Sequence, residues 1–306
     1  MHFCQTASDF AVRALICEVD ATPKPGLVDR ENNGAHRDMD HTMFLRSAQA
    51  LGPCFADCAR LGYDWNRSGE PEERLADRLR AIGLDGERAM YRATGGVNTH
   101  KGLVFSLGIL CTAWGMLASS PQRERDGLRN CDPQRFAHQL QAACGRLAAI
   151  LLGEEKPTEA EETHGQQVRR TTGISGVKGE ALSGFGTAFE EGLPRLNEAL
   201  SRGSSMNDAC VETLIHLLAR TDDSNLVYRG GLEGLTFVRQ RAKALAERYP
   251  AGALSRAEGL EEIRRLDRDC IAGNLSPGGC ADVLAITVML HFVTASFEVE
   301  RKEGDI

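Results

Sequence analysis

The sequence predicts an all-α protein, a multi-helical bundle of about ten helices. Apolar residues recur at helical spacing from one end of the chain to the other. Alternating runs of β-branched and aromatic residues, which would indicate strands, are absent. Glycine, proline, serine, asparagine and aspartate gather between the periodic segments, where they commonly end or begin helices.

The periodic segments follow one another along the whole chain. Its 306 residues are 42% hydrophobic and 26% charged, and neither a repeat nor a change of composition divides them, so we expect a single domain over residues 1–306. Two polar stretches, 119–133 and 153–166, predict exposed connections. In order, the predicted helices cover residues 5–20, 42–61, 71–93, 102–118, 133–152, 177–201, 207–221, 232–248, 255–272 and 279–300.

Three of these helices have a start signal or a composition that justifies them further. Asp38 is a candidate cap for the second helix, and the fourth begins near Gly102. For the last helix, Ser276 can act as the cap and Pro277 suits the first helical position. The apolar run at 283–297 has 15 residues, fewer than the roughly 20 that span a bilayer, so it predicts a buried central helix.

The bulk composition excludes several classes of protein. A formal net charge of -7 argues against nucleic acid as a partner, because phosphate backbones need a basic face. The ten cysteines show no C-x-x-C spacing, which indicates buried, reduced thiols. The N-terminus has no basic segment followed by an apolar core, which is the pattern of a signal peptide. We therefore expect a cytoplasmic protein without a membrane segment.

Charged side chains concentrate in five glycine-rich segments at the helix junctions. Any one of these junctions is typical of a helix cap, but the five together indicate a ligand site. They are "TPKPGLVDRENNGAHRDMDH" (22–41), "GGVNTHKGLVF" (95–105), "THGQQVRRTTGISGVKGEALSGF" (163–185), "DDSNLVYRGGLEGL" (222–235) and "NLSPGGCADVLA" (274–285).

The residue types in these segments fit an anionic ligand. Free backbone N–H groups at a helix start beside His100 and Lys101 would favour phosphate. Gly278 and Gly279 would let a ligand approach the backbone, and Arg229 adds a cation next to two glycines. Neither a P-loop nor a Rossmann glycine motif occurs. Because lysine and arginine are combined with carboxylates able to hold Mg²⁺, the pattern favours a magnesium-bound polyphosphate.

Long motifs give a specific resemblance. In order, "TPKPGLVDRENNGAHRDMDHTMFLRSAQAL", "GVNTHKGLVFSLG", "THG", "GEALSGF", "DSNLVYRGG" and "LSPGGCADVLAIT" resemble the triphosphoribosyl-dephospho-coenzyme A synthase family. The likeness runs from about Glu18 to Leu290. One departure is "GISGVKGEA", with Ser175 and Lys178 where the family pattern "GIRGVRGEA" leads us to expect arginine.

The resemblance implies an all-helical enzyme and a defined reaction. ATP and 3'-dephospho-coenzyme A would give 2'-(5''-triphosphoribosyl)-3'-dephospho-coenzyme A and adenine. That product is a precursor of the prosthetic group of citrate lyase or malonate decarboxylase, and the same precursor suits both. It would pass to a holo-acyl-carrier-protein synthase.

This chemistry needs opposite charges in one place. By analogy with glycoside hydrolysis, a carboxylate would steady the ribosyl centre, a base would take the proton of the attacking hydroxyl, and an acid would protonate adenine. The candidate catalytic residues are Asp29, Asp38, Glu180 and His36, with a hydrogen-bonding strut as the alternative role of His36. The candidate phosphate-binding or substrate-binding residues are Lys24, Arg30, His100, Lys101, Arg229, Ser276, Gly278 and Gly279. The candidate Mg²⁺ ligands are Asp29, Asp38 and Asp282, where a helix-dipole partner is the alternative role of Asp282.

Two other functions would also account for some of these residues. A metal-dependent phosphohydrolase of the HD type is also all-α, but the His-Asp dipeptide is missing because Asp40 precedes His41. Mg²⁺ also prefers oxygen ligands to imidazole. A non-catalytic nucleotide-binding regulator would not need so many carboxylates around an anion. Free adenine, released phosphate or unchanged ATP would distinguish the three functions.

Overall fold

The computed structural model describes residues 2–68, 70–120, 132–153, 164–249 and 254–304, and its regular elements within these ranges are helices. The all-α prediction is confirmed. Of the predicted exposed connections at 119–133 and 153–166, residues 121–131 and 154–163 lie outside the described residues. The helices are α1 (His2–Asp20), α2 (His41–Ala50), α3 (Gly52–Ser68), α4 (Glu72–Thr94), α5 (Lys101–Ala118), α6 (Pro133–Gly153), α7 (His164–Thr172), α8 (Gly176–Leu182), a π-helical segment (Ala188–Gly192), α9 (Leu193–Ser201), α10 (Met206–Leu218), α11 (Ser224–Arg248), α12 (Arg256–Ala272) and α13 (Gly278–Gly304).

Two predicted helices are interrupted. The predicted 42–61 helix is divided into α2 and α3 at Leu51, just before Pro53, whose ring nitrogen has no hydrogen to continue the helical ladder. The predicted 177–201 helix breaks where Gly184 and Phe185 adopt φ angles of 69° and 63°. Helical periodicity in the sequence continues through both breaks, so it did not reveal them.

Two helices begin where the sequence predicted loops. α7 lies in a segment predicted only as a glycine-rich junction. α11 begins at Ser224 because Asp223 caps it, accepting the backbone N–H groups of Asn225 and Leu226 at 2.8 and 3.1 Å. Within α11, Gly231 has φ 64° and ψ -169°, which kinks the helix near the start predicted from periodicity.

The cap predictions for α2 and α13 are wrong in detail. Asp40, and not Asp38, caps α2 by accepting the backbone N–H of Met43 at 2.7 Å. α13 begins at Gly278, and the hydroxyl of Ser276 is hydrogen-bonded to His36. Both helix starts lie within one or two residues of the predicted positions.

α1, α5 and the first half of α13 supply much of the core. Two segments, Lys101–Ala118 and Gly278–Ser296, are long and apolar enough to cross a membrane by length and composition, and 67% of each is buried inside the protein. The buried central helix predicted at 283–297 therefore lies in α13 as expected. Buried apolar residues from Cys4 to Val293 form one cluster. The nine described cysteines are all free thiols, and most are buried. The one-domain organisation stays a prediction.

Candidate active site

The loop between α1 and α2 is folded by its own polar groups. Asp29 is buried and accepts three backbone N–H groups of the loop, among them that of Lys24, at distances between 2.7 and 3.0 Å. Asp267 of α12 accepts the backbone N–H of Gly26 at 2.8 Å. Both oxygens of Asp29 are therefore occupied by the loop itself, so the geometry gives this residue a structural role.

Two cations of the same loop, Lys24 and Arg30, have partners of their own. Lys24 is 1% exposed and forms a buried ion pair with Glu18 of α1, whose backbone carbonyl also accepts its ammonium group at 2.7 Å. Arg30 is exposed and pairs with Asp20 at 2.5 Å. Lys24 still borders a cavity, whereas Arg30 lies away from it.

That cavity, which we call cavity A, has a volume of about 230 Å³ and lies beside the starts of α5, α11 and α13. Its lining includes Glu18, Lys24, His36, Phe44, Asn98, Thr99, His100, Tyr228, Arg229, Ser276, Gly278 and Asp282. The first turn of an α-helix presents N–H groups without intrahelical partners, so three helix starts favour negative charge here.

His36 and Arg229 form one wall of cavity A. Arg229 donates to the carbonyl of Ala35 at 3.0 Å and approaches Nδ1 of His36 at 3.3 Å. Because a guanidinium can only donate, Nδ1 accepts, and Nε2–H of His36 donates to Ser276 at 2.8 Å. Burial and then the charge of Arg229 lower the pKa of His36. His36 is thus a neutral strut that holds the loop against α13, while Arg229 keeps a charged face on the cavity.

His100, the residue before α5, is 2% exposed. Its Nδ1 is 2.7 Å from the hydroxyl of Ser47, and its Nε2 is buried without a hydrogen-bond partner in the described structure. Burial, followed by the charge of Lys24, lowers the pKa of His100 to about 3. The imidazole is neutral at physiological pH, so the predicted phosphate contact of His100 cannot be that of a cation.

A second cavity, cavity B, has a volume of about 550 Å³ and lies on the other side of the first turn of α13. Its lining includes Ser106, Ser175, Gly179, Glu180, Thr187, Arg220, Asp222, Asp223, Gly279 and Asp282. Asp223 uses its second oxygen to accept the backbone N–H of Cys280 at 2.8 Å and so joins the starts of α11 and α13. Four carboxylates and one arginine make this cavity acidic.

Glu180 provides a carboxylate that is free to react in cavity B. One of its oxygens accepts the hydroxyl of Thr187, and the other is buried without a partner among the described residues. Burial raises the pKa of Glu180 in spite of the Thr187 hydrogen bond. A carboxylate with a raised pKa suits a general base, because proton transfer is most efficient when the pKa lies near the working pH.

Asp282 borders both cavities. In α13 it lies four residues after Gly278, which lines cavity A, and three after Gly279, which lines cavity B. Burial, together with the charges of Glu18 and Asp223, raises its pKa well above the ordinary value. A Cβ placed on Gly102 would lie 2.5 Å from Oδ2 of Asp282, so α5 approaches this carboxylate closely.

The structure brings together only part of the predicted site. Lys24, His36, His100, Arg229, Ser276, Gly278 and Asp282 border cavity A, while Glu180, Gly279 and Asp282 border cavity B. Asp38 is exposed and lines neither cavity. Lys101 is half exposed and pairs with Glu87 at 3.2 Å, so it also lies outside both. The close match of "NTHKG" to a helix start gave no information on where the Lys101 side chain points.

The predicted Mg²⁺ ligands do not converge. Asp29 is saturated by backbone N–H groups, Asp38 is exposed and Asp282 lies at the cavities. Throughout the described ranges, no three histidine, cysteine or acidic side chains are placed to hold a metal ion. A protein site built from those three carboxylates therefore does not fit the structure.

Sequence reasoning missed Glu18, Ser47 and Asp223 as residues of the site. Glu18 falls on the buried face of α1, four residues after Ala14, and an acidic residue at such a position is itself a signal. Asp223 stands before "SNL" as a helix cap, although nothing local indicated its second bond to Cys280. Ser47 had no signal, because its role depends on contact with His100.

A larger cavity, of about 890 Å³, lies between α1 and α3. None of the predicted site residues lines it, and it is more open than cavities A and B. Cavities A and B, where the predicted site residues meet, are therefore the candidate functional site.

In this all-α fold, cavity A with its two cations and the acidic cavity B meet at one carboxylate, that of Asp282. Comparison with known proteins identifies the family. Residues 4–301 match the CitG family, described as ATP:dephospho-CoA triphosphoribosyl transferase, and the chain belongs to that family.

Curated relatives carry the corresponding name. A protein of Vibrio cholerae named probable 2-(5''-triphosphoribosyl)-3'-dephosphocoenzyme-A synthase is 39% identical over 94% of this chain and 88% of its own length. Proteins of Pectobacterium atrosepticum and Escherichia fergusonii, named as the same synthase without "probable", are 40% and 41% identical over 91% and 92% of this chain and 86% and 88% of their own lengths. No solved structure matches the chain.

Proposed function

We propose that the chain transfers the triphosphoribosyl group of ATP to 3'-dephospho-coenzyme A, and that the transfer takes place beside Asp282. The observation that carries the proposal is the meeting of cavities A and B at this carboxylate. A transferase must hold two substrates with their reacting atoms in contact, and a shared wall allows this arrangement. Family membership supplies the identity of the substrates.

The charges of the two cavities favour one arrangement of the substrates. The triphosphate of ATP belongs in cavity A, where Arg229, the buried Lys24 and three helix starts provide positive potential. The acceptor nucleoside belongs in cavity B, whose acidic side chains can accept hydrogen bonds from ribose hydroxyls.

The transfer exchanges one glycosidic bond for another. The 2'-oxygen of dephospho-coenzyme A forms a bond to C1' of the ATP ribose, and the bond from C1' to N9 of adenine breaks. The positive charge that develops at C1' favours ionisation of Asp282, whose pKa is raised in the free protein, and the resulting carboxylate steadies that charge, as one does in glycoside hydrolysis. Glu180 takes the proton of the 2'-hydroxyl, and adenine gains a proton as it leaves.

Mg²⁺ is proposed to enter as the counter-ion of the ATP triphosphate. Mg²⁺ commonly binds through substrate phosphates with one or two protein carboxylates, so a three-carboxylate protein site is not required. The product is proposed to pass to a holo-acyl-carrier-protein synthase, since it is the precursor of a carrier-protein prosthetic group.

Product analysis tests the proposal. The full chain is incubated with ATP, Mg²⁺ and dephospho-coenzyme A, and the products are measured by mass spectrometry. We expect free adenine and the triphosphoribosyl adduct in equal amounts. Coenzyme A serves as the matched acceptor and should react poorly, because its 3'-phosphate lies beside the attacking 2'-hydroxyl. Release of phosphate would instead indicate a phosphohydrolase, and unchanged ATP would indicate a binding protein.

A further inference from the structure

His100 is the end of a short chain of side-chain hydrogen bonds. Thr99 donates its hydroxyl hydrogen to Oγ of Ser47 at 2.7 Å, and Oγ of Ser47 is 2.7 Å from Nδ1 of His100. Ser47 is fully buried in α2, and His100 is 2% exposed. Phe44, one turn earlier in α2, contacts the imidazole edge-to-face with 5.0 Å between ring centres. The ring is therefore fixed on two sides.

The hydrogen-bond chain determines which nitrogen of His100 carries the proton. Ser47 already accepts from Thr99, so its own hydrogen needs an acceptor. Among the described residues, Nδ1 of His100 is the acceptor within reach. If Nδ1 carried a hydrogen instead, the hydroxyl of Ser47 would accept twice and donate to nothing, or the Thr99–Ser47 hydrogen bond would have to reverse. With Thr99 as the donor to Ser47, the network assigns the proton to Nε2 and leaves the ring neutral.

The donor at Nε2 has no partner within the part of the chain that the structure describes, and His100 borders cavity A. A buried donor without a partner is costly, and such groups commonly mark a place that a ligand occupies. Lys24, on the same cavity wall, donates to the carboxylate and the backbone carbonyl of Glu18.

We propose that His100 binds ATP as a neutral Nε2–H hydrogen-bond donor, and that Ser47 and Thr99 are positioning residues that fix its tautomer. The identity of the ligand rests on the proposed function, whereas the tautomer does not. A neutral donor can contact a ribose or phosphate oxygen without giving up a proton. It also adds no charge beside Lys24 and Asp282.

The tautomer is tested first, on the full chain without substrate. Long-range nitrogen-15 NMR of histidine-labelled protein at pH 7, with His100 assigned by the loss of its signals in His100→Gln, distinguishes the two neutral forms and the cation. We expect the Nε2–H form. A protonated ring or the Nδ1–H form would overturn the proposal.

Two substitutions then test the role of the donor. His100→Gln keeps an uncharged N–H donor, whereas His100→Leu removes it. We expect the MgATP dissociation constant, measured by calorimetry without acceptor, to change less than about threefold in the first and to rise about tenfold or more in the second. Equal losses in both variants, or no loss in either, would refute the donor role.

A matched pair of substitutions at Thr99 tests the positioning role of this residue. Thr99→Ser keeps the hydroxyl, and Thr99→Val replaces it with a methyl group of similar size. We expect Thr99→Val to mix the tautomers of His100 and to weaken MgATP binding several-fold, while Thr99→Ser stays near wild type in both measurements. Ser8→Ala is the control, because Ser8 is a buried hydroxyl that donates to the carbonyl of Gly52 and lines neither cavity A nor cavity B. Equal behaviour of the two Thr99 variants would refute the positioning role.

The outcomes separate this inference from the proposed function. MgATP binding with the expected tautomer, but without adenine release, would leave the role of His100 standing and refute the transfer reaction. Adenine release with an Nδ1–H tautomer would refute the role of His100 and leave the transfer reaction standing. Failure of wild-type protein to bind MgATP would refute both the transfer and the ligand assigned to His100.

Discussion

Replacing Asp282 with asparagine should stop the reaction without harming the fold. The side chains have nearly the same shape, and the described residues provide no hydrogen bond or ion pair that Asp282→Asn would break. What is lost is the ionisable group between cavities A and B, and with it the carboxylate that Asp282 forms when it ionises. Removal of one preorganised electrostatic group commonly costs on the order of 10² to 10³ in rate, which corresponds to about 2.7–4 kcal/mol. We expect a fall of that size in the rate of adenine release.

The stability of Asp282→Asn should depend on pH with a definite sign. Burial raises the pKa of the Asp282 carboxyl in the folded protein, and Glu18 and Asp223 raise it further. The folded state therefore holds this proton more tightly than the unfolded state, so the Asp282 contribution to stability falls as pH rises above the unfolded pKa of about 3.9. Asparagine does not ionise. The variant should equal or exceed the wild type in Tm at pH 7, and the difference should shrink toward pH 4.

Adenine release and thermal unfolding are measured on the same preparations, with Asp85→Asn as the control. Asp85 is an exposed carboxylate of α4 that pairs with Arg88 at 2.7 Å, away from both cavities. Its replacement should change the free energy of unfolding by no more than about 0.5 kcal/mol and leave activity unchanged. Activity of Asp282→Asn within a few-fold of wild type would refute the role of Asp282, and a large loss of Tm would show that it is structural.

Two further predictions concern the neighbours of the site. Gly102→Ala places a Cβ 2.5 Å from Oδ2 of Asp282, so that carboxylate must move, and a displacement of about 1 Å at a reacting group can cost about 10² in rate. The control Gly83→Ala has nothing within 4 Å of the added Cβ and should raise stability by up to about 1 kcal/mol without affecting adenine release. Asp38→Asn and Lys101→Ala should both keep adenine release within a few-fold of wild type, because neither side chain lines cavity A or B. A near-complete loss of adenine release would restore the predicted catalytic role of Asp38 or the predicted phosphate-binding role of Lys101.

Most of the fold prediction rests on helical periodicity. It fixed the class and the approximate position of the long helices, because one buried face repeats every three to four residues whatever the tertiary structure. It could not locate the break at Leu51 or the one at Gly184 and Phe185, where apolar residues continue in register. The second break depends on contact with another helix: a Cβ on Gly184 would lie 2.2 Å from the carbonyl oxygen of Gln141 in α6.

The sequence indicated which loops form the candidate site but not what each of their residues does. The five glycine-rich segments contain residues of both cavities because helix starts from distant parts of the chain meet there. Charge alone could not separate Asp29, which is consumed by backbone hydrogen bonds, from Asp282, which has none in the described residues. Likewise, the sequence placed His100 at a phosphate site without indicating its charge, and the burial that makes the ring neutral is known only from the structure.

The loop between α1 and α2 has a consequence for the thermodynamics of binding. Two carboxylates hold its backbone in place before any ligand arrives. Asp29 accepts N–H groups within the loop, and Asp267 of α12 accepts the N–H of Gly26. Fixing the backbone of one residue costs roughly 1–2 kcal/mol in conformational entropy at 25 °C, and folding has already borne that cost here. A nucleotide entering cavity A therefore meets a wall that is already ordered, and the free energy of its contacts with Arg229 goes into affinity instead of into arranging the loop.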